Sequence, residues 1–237
     1  MRLYIIRHAD PDYEHNTITP AGHLEAKALA KRLKKEGINK IYSSPMGRAL
    51  DTMKYTKELI GLDYNIEEWT EEIWDRLKMD DTPWGTIAAW DIPGEVIRKD
   101  GIVPSYDMWT NIPYLKEKDN EIEDTLKMIS ENSDEFLRRQ GYVRKGGKYA
   151  CYKPNRDRVA VFCHGGFGLT WIGHLLSIPL PLIWSGFWLP PSSVTTILFD
   201  ERSKEWAVPR CIGLGDVSHL YEAGLPVRPR GILENFD

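Results

Sequence analysis

Cysteine is scarce in this chain: 3 among 237 residues, at Cys151, Cys163 and Cys211. They lack paired metal-ligand spacing, and three cannot all pair within one chain. A disulfide framework and a zinc site are therefore set aside, and reduced thiols in a cytoplasmic setting are expected. Excess charge of one sign is also missing. Lys plus Arg number 31 against 35 Asp plus Glu, a formal net charge of −4. Binding to a nucleic-acid backbone shows as a clustered basic face, so a nucleic-acid partner is excluded and any positive potential must be local. No window approaches the ~20 apolar residues of a membrane span, which excludes a membrane partner of that kind. The first apolar run, Leu3 to Ile6, is too short for a signal peptide and meets Arg7, His8 and Asp10 at once. The 6 histidines are scattered without metal-ligand spacing, so neither metal nor other cofactor is expected. Internal repeats, heptads and low-complexity tracts are absent.

What remains is an ordinary globular composition, 42% hydrophobic and 28% charged, enough for a real core. The expected unit is one domain over residues 1–237. Leu3-Tyr4-Ile5-Ile6 and Val159-Ala160-Val161-Phe162-Cys163 are short, apolar and rich in β-branched or aromatic residues, the pattern of strands buried on both faces. Thr19-Pro20 opens a helix with a hydroxyl cap and a first-turn proline, Leu24, Ala28, Leu29 and Leu33 form its stripe, and Gly37 ends it. A strand at Lys40 to Ser44 and a helix from Pro45 to Gly61 follow. This β-α-β-α alternation implies an α/β fold, a three-layer α/β/α sandwich around a mostly parallel sheet.

From about residue 74 to 118 the periodicity dissolves, which reads as an irregular lid insertion. Trp69, Trp74, Trp84, Trp90 and Trp109 crowd this region; they are read as packing an irregular segment, with an aromatic substrate lid as the sharper alternative. A helix with Ile122, Leu126, Ile129 and Phe136 or Leu137 inward, then a hairpin turning at Gly146-Gly147, fill about 119–153. A strand to Cys163, a helix from Phe167 to Leu176 and a strand from Ser193 to Asp200 continue the alternation. Trp206 to Leu214 is expected to pair antiparallel with that strand at an edge. The edge strand and the aromatic insertion offer surfaces for a homo-oligomer.

The chemistry concentrates at strand ends, where open α/β folds place their sites. Arg7-His8 ends the first strand, and His164-Gly165-Gly166 ends the strand that begins near Val159. A guanidinium beside an imidazole disfavours adding a proton, leaving a neutral nucleophile, and draws an anion to it. Arg48, early in the second helix, points to the same sheet end. Two arginines and two histidines there make a phosphate pocket, each charge-assisted hydrogen bond contributing roughly 1.5–3 kcal/mol. Backbone amides at Gly165-Gly166 add donors without charge. A proton donor for the leaving oxygen is still needed, and Glu67, Glu68, Glu71 and Glu72 beside Trp69 and Trp74 all offer one.

Taken in order, Arg7-His8, Thr19-Pro20-Ala21-Gly22, Ser43-Ser44-Pro45 through Arg48-Ala49, and His164-Gly165 resemble the histidine phosphatase superfamily, in its phosphoglycerate-mutase-like branch. The resemblance implies that His8 becomes a phosphohistidine while Arg7, Arg48 and His164 hold the phosphoryl oxygens, beside the backbone donor expected at Gly165. It also implies a glutamate as acid and then base, in a segment whose place Glu71-Glu72-Ile73 occupies; Ile73 selects Glu72, with Glu71 as the alternative. Three features depart from the family: Ala9-Asp10 follows His8 where glycine and Glu or Gln are usual, Trp74-Asp75-Arg76 replaces a glycine-rich segment, and the loop from Pro11 to Ile18 is short. Asn16 in that loop reads as a turn residue, with phosphate contact as the alternative. The implied activity is metal-independent hydrolysis of a small phosphorylated substrate. A phosphoglycerate mutase and a phosphoryl-binding scaffold without turnover are the alternatives.

Overall fold

The computed structural model describes residues 1–98 and 108–232. Part of the expected insertion, residues 99–107, lies outside them. The chain opens with β1 (Arg2–Arg7), a ribbon of β2 (Pro11–Asp12) and β3 (Thr17–Ile18), α1 (Pro20–Glu36), β4 (Lys40–Ser43), α2 (Gly47–Ile60) and β5 (Tyr64–Ile66). The insertion carries α3 (Trp74–Leu77), a hairpin of β6 (Lys78–Thr82) and β7 (Gly85–Ala88), and α4 (Gly94–Ile97). Next come α5 (Asp119–Arg139), the hairpin β8 (Tyr142–Lys145) and β9 (Lys148–Cys151), β10 (Arg158–Cys163) and α6 (Gly165–Leu176). The last elements are α7 (Leu180–Gly186), β11 (Val194–Asp200), β12 (Trp206–Asp216) and α8 (Ser218–Ala223).

Eight strands form one sheet in the order β5-β4-β10-β1-β11-β12-β9-β8. Pairing is parallel from β5 through β1 and antiparallel beyond it. Successive side chains of β1 point to opposite faces. Leu3 and Ile5 pack into the cluster holding Phe136, Phe167 and Trp171 of α5 and α6. Tyr4 and Ile6 pack with Leu29, Leu33 and Met53 of α1 and α2. Helices on both faces explain the unbroken apolar runs of the central strands, and the chain adopts the expected three-layer α/β sandwich around a mixed sheet, parallel across β5, β4, β10 and β1 and antiparallel across the rest.

Local signals for the first helix hold in detail. Thr19 Oγ1 accepts from Gly22 N at 3.1 Å, and Gly37 closes α1 in the left-handed region at φ 71°. Leu24 is the exception. It is 52% exposed, because the buried face runs through Ala26, Leu29, Ala30 and Leu33.

Three other expectations change. First, β11 runs antiparallel to β1, with Val194 beside Ile6. It enters at the carboxyl end of β1 because α7 and residues 187–193 first pass along that end of the sheet, and the passage lays them beside the active cleft. Second, β12 is an edge only in part: Trp206 and Ala207 are covered by β9. Third, the insertion is more regular than its composition suggests. Leu77, Met79, Ile92, Ile97, Ile112 and Leu115 are buried in the same cluster as β1 and α6. The tryptophans of this region divide: Trp69 and Trp109 join that core, Trp74 lines the cleft, and Trp90 does both.

Candidate active site

Parallel register places three strand ends side by side. Arg7 aligns with Cys163, and Phe162 with Ser43, so His8, Ser44 and His164 leave the sheet at one edge. The rings of His8 and His164 lie 5.3 Å apart and are 1% and 0% exposed. Their chain neighbours Arg7 and Gly165 line a cleft together with Arg48, Glu72 and Gly166, while the two rings are buried behind that lining.

His8 Nδ1 lies 2.8 Å from the Ala9 carbonyl oxygen. A carbonyl only accepts, so Nδ1 carries the proton and Nε2 is left as the basic, nucleophilic nitrogen. Burial, then Arg7 and Arg48, hold the pKa of His8 well below its usual 6.5. His164 is lowered by burial first, then by Arg48, His8 and Arg7. Its Nε2 lies 2.9 Å from Ser44 Oγ, which already accepts from Met46 N at 3.3 Å. The serine proton is thus available to His164 Nε2, a pairing that leaves the imidazole proton on Nδ1. That nitrogen is buried and has no protein partner.

Both arginines are buried, at 7% and 6% exposed. Their hydrogen bonds go to neutral oxygens: Arg7 Nη1 donates to Leu189 O at 2.6 Å and Arg230 O at 3.2 Å, and Arg48 Nη1 donates to Asn16 Oδ1 at 3.0 Å. Arg7 Nε and Arg48 Nε have no protein partner. Buried positive charge without a bonded carboxylate is costly unless an anion completes it. Arg7 Nε, Arg48 Nε and His164 Nδ1 are thus three buried donors with no protein acceptor, a set whose chemistry suits a tetrahedral oxyanion.

Asn16 is therefore a positioning residue for Arg48. It sits at φ 49°, a conformation asparagine tolerates, and its carbonyl oxygen presses so closely on Gly47 that any Cβ there would clash. Gly47→Ala is expected to cost about 1–3 kcal/mol of stability, read as a lowered Tm, and to raise KM for phosphorylated substrates by displacing Arg48.

Of the candidate acids, Glu72 reaches the cleft. Its Oε1 accepts from Phe167 N at 2.8 Å and Ile73 N at 3.0 Å, and its Oε2 accepts from Gly166 N at 3.1 Å. The amino end of α6 clamps this carboxylate, as helix dipoles favour. Gly166 thus spends its amide on Glu72 rather than on phosphate. Glu71 is exposed. Glu67 is turned away into a pair with Arg139 at 2.8 Å.

Ala9 fits without strain. It is fully buried against Ile18 and Ala26, and its N–H donates to Thr52 Oγ1 at 2.9 Å. Asp10 ties the carboxyl-terminal segment down, accepting from Arg230 Nε at 2.7 Å and Thr19 Oγ1 at 2.7 Å. Sequence reasoning did not find Tyr13, whose ring lies 6.3 Å from His8 and 5.6 Å from the Arg48 guanidinium. It also passed over Asp91, Trp184, Phe187 and Arg230, which line the cleft from segments without periodic signal. Asp91 opens into the cleft yet is hemmed in by protein. That burial first, with Glu72 adding to it, raises its pKa to about 6 despite opposing contributions from the Ala88 backbone and Arg7.

His219, expected to be structural, is 2% exposed and pairs with Ser192 Oγ at 3.2 Å. Burial is the first cause that lowers its pKa to about 4. Unfolded chains take up a proton on this side chain near pH 6.5 and the folded protein does not. Its contribution is therefore full above pH 6.5 and falls by about 3 kcal/mol as pH drops to 4. Tm measured across that window is expected to decline less in His219→Gln than in the parent protein.

An α/β sandwich with paired arginines and histidines at the carboxyl ends of its parallel strands defines a phosphoryl-binding class of protein. Residues 3–83, the first third of the chain, match the family model of the histidine phosphatase superfamily (branch 1). A relative from Hydrogenobacter thermophilus, "Putative phosphoserine phosphatase 2", is 32% identical over 81 residues, 30% of this chain and 40% of its own length. The fold is similar to that of a phosphoserine phosphatase from Entamoeba histolytica solved with 3-phosphoglyceric acid. The TM-score is 0.57 at 19% identity, covering 92% of this chain and 98% of the other. It is also similar to a mycobacterial glucosyl-3-phosphoglycerate phosphatase solved with VO3, with TM-score 0.58, 19% identity, and 90% and 97% covered. Among the described residues no helix is long and apolar enough to cross a membrane.

Proposed function

We propose that this protein is a metal-independent phosphomonoester hydrolase that works through a phosphohistidine on His8. The observation that carries this reading is the pair of buried guanidinium groups, each with an unpartnered Nε, beside a neutral imidazole whose tautomer leaves Nε2 basic. In the first step His8 Nε2 attacks phosphorus and the ester P–O bond breaks. Arg7, Arg48 and His164 stabilise the transferring oxygens, while Glu72 gives its proton to the departing alcohol oxygen. In the second step Glu72 takes a proton from water, whose oxygen attacks the phosphohistidine. Inorganic phosphate leaves and His8 returns to its neutral form. The arginines supply the charge that a metal supplies elsewhere.

In this reading the chain acts as a single domain, since the insertion shares its core cluster with β1 and α6. Its partner is a small phosphorylated molecule, and free cysteines fit a cytoplasmic setting. Phosphate release from a panel of phosphomonoesters is expected to proceed undiminished in EDTA and to be blocked by orthovanadate. Folded protein that releases none from any ester, or only after metal is added, would contradict it.

A further inference from the structure

The cleft as a whole, its Arg7 and Arg48 end included, has a volume of about 850 Å³, more than a phosphoryl group alone would fill and suited to a drug-sized ligand. Trp74, Trp90, Trp184 and Phe187 form its walls. Trp74 and Phe187 each leave 38% of their surface exposed there, and a concentration of uncovered aromatic surface inside a cleft marks a place where a ligand packs. The aromatic wall reaches the reaction centre. Trp90 stands over the first turn of α6, so close that a Cβ on Gly166 would lie 2.5 Å from its ring, and Trp74 meets Trp90 edge-to-face at 6.4 Å. Among the described residues the aromatic wall presents acidic groups rather than a cationic surface that would hold a carboxylate. Asp75 and Asp91 are its charged groups on the insertion side, and Arg230 at the carboxyl-terminal rim is already paired with Asp10.

Resting on the hydrolase reading above, we propose that the substrate is a phosphomonoester of a bulky aromatic or otherwise apolar alcohol that carries no carboxylate. With the phosphoryl group held by Arg7 and Arg48, such an alcohol lies among Trp74, Trp90 and Phe187. Its burial adds affinity in proportion to the apolar area covered. A small polar ester leaves those rings wet, and a carboxylate on the leaving group faces the like charges of Asp75 and Asp91. Specificity then comes from Trp74, Asp75, Trp90 and Asp91 and from residues 184–188.

The test compares (2-naphthyl)methyl phosphate, ethyl phosphate and phosphoserine, all esters of primary alcohols, so leaving-group chemistry differs little. Equilibrium binding is measured by calorimetry on the His8→Ala protein, and turnover on the parent protein. The naphthylmethyl ester is expected to bind at least about tenfold more tightly than either of the others, with Phe187→Ala shrinking that ratio several-fold. A ratio below tenfold, or one unmoved by Phe187→Ala and by Trp74→Ala alike, overturns the proposal. Selective binding by His8→Ala without any turnover by the parent protein supports this substrate class and tells against the hydrolase reading alone.

Discussion

His8→Ala is expected to lower kcat for phosphate release by at least about 10⁴-fold, the scale on which loss of a covalent nucleophile is felt. The size follows from how little else in the cleft can replace it. His164 is the other imidazole, but its Nε2 is engaged with Ser44 Oγ, and its Nδ1 carries the proton in the pairing described above. Cys163 is fully buried, and its thiol is pushed up first by burial and then by Glu72. The parent protein, mixed rapidly with labelled ester and quenched in base, is expected to show one phosphorylated residue at His8. His8→Ala shows none. His8→Asn, which fills more of the buried site, is the companion variant, and circular dichroism checks that both fold. Turnover within tenfold of the parent in either folded variant would remove His8 from the mechanism.

Glu72→Gln is expected to reduce turnover of alkyl phosphates by about 10²–10⁴-fold, the usual worth of a positioned acid-base group. A plain loss of activity would not separate chemistry from architecture, because Glu72 also caps α6 through Gly166 N and Phe167 N. An amide in its place offers only one accepting oxygen, so Tm should fall as well, by about 1 kcal/mol in stability. The leaving group makes the distinction. An alkoxide needs the proton in the first step, whereas p-nitrophenolate leaves without it. With p-nitrophenyl phosphate the variant should therefore still form phosphohistidine, which accumulates because the water attacking it lacks a base. Equal losses on alkyl and aryl esters with no accumulated intermediate would reduce Glu72 to a cap. Glu71→Gln, altered at an exposed neighbour outside the cleft lining, is the control.

Between Glu71 and Glu72 the chain itself offered only the isoleucine that follows Glu72. The two differ in where tertiary docking puts them: the segment after β5 lies against the amino end of α6, and the carboxylate that meets the amides of Gly166 and Phe167, 94 and 95 positions away, is that of Glu72. Ala9 shows the reverse. It departs from the family pattern as a letter, yet in the folded protein the methyl is simply buried beside Ile18 and Ala26 while its carbonyl sets the His8 tautomer. The reading of Asn16 as a turn residue was half of its role, since the strained turn also aims Arg48.

What the amino-acid sequence determined alone is what local forces encode. Apolar runs doubly buried in a sheet, the Thr19 cap, the Gly37 stop and the residues that end β1 and β10 are all written in neighbours a few positions apart. Parallel strands then bring Arg7, His8, Arg48 and His164 to one edge by a topological rule that needs no side-chain detail. Only the tertiary structure decided the walls of the cleft. Residues 74–91, 184–189 and 230–232 meet there from three distant parts of the chain, held by contacts such as Arg7 to Arg230 O and Asp10 to Arg230. Those segments lack the periodicity that marks a helix or strand, and their partners are chosen by shape and charge across long loops. The strand-end cluster of Arg7, His8, Arg48 and His164 was therefore legible in the order of the residues, and the aromatic cleft beside it was not.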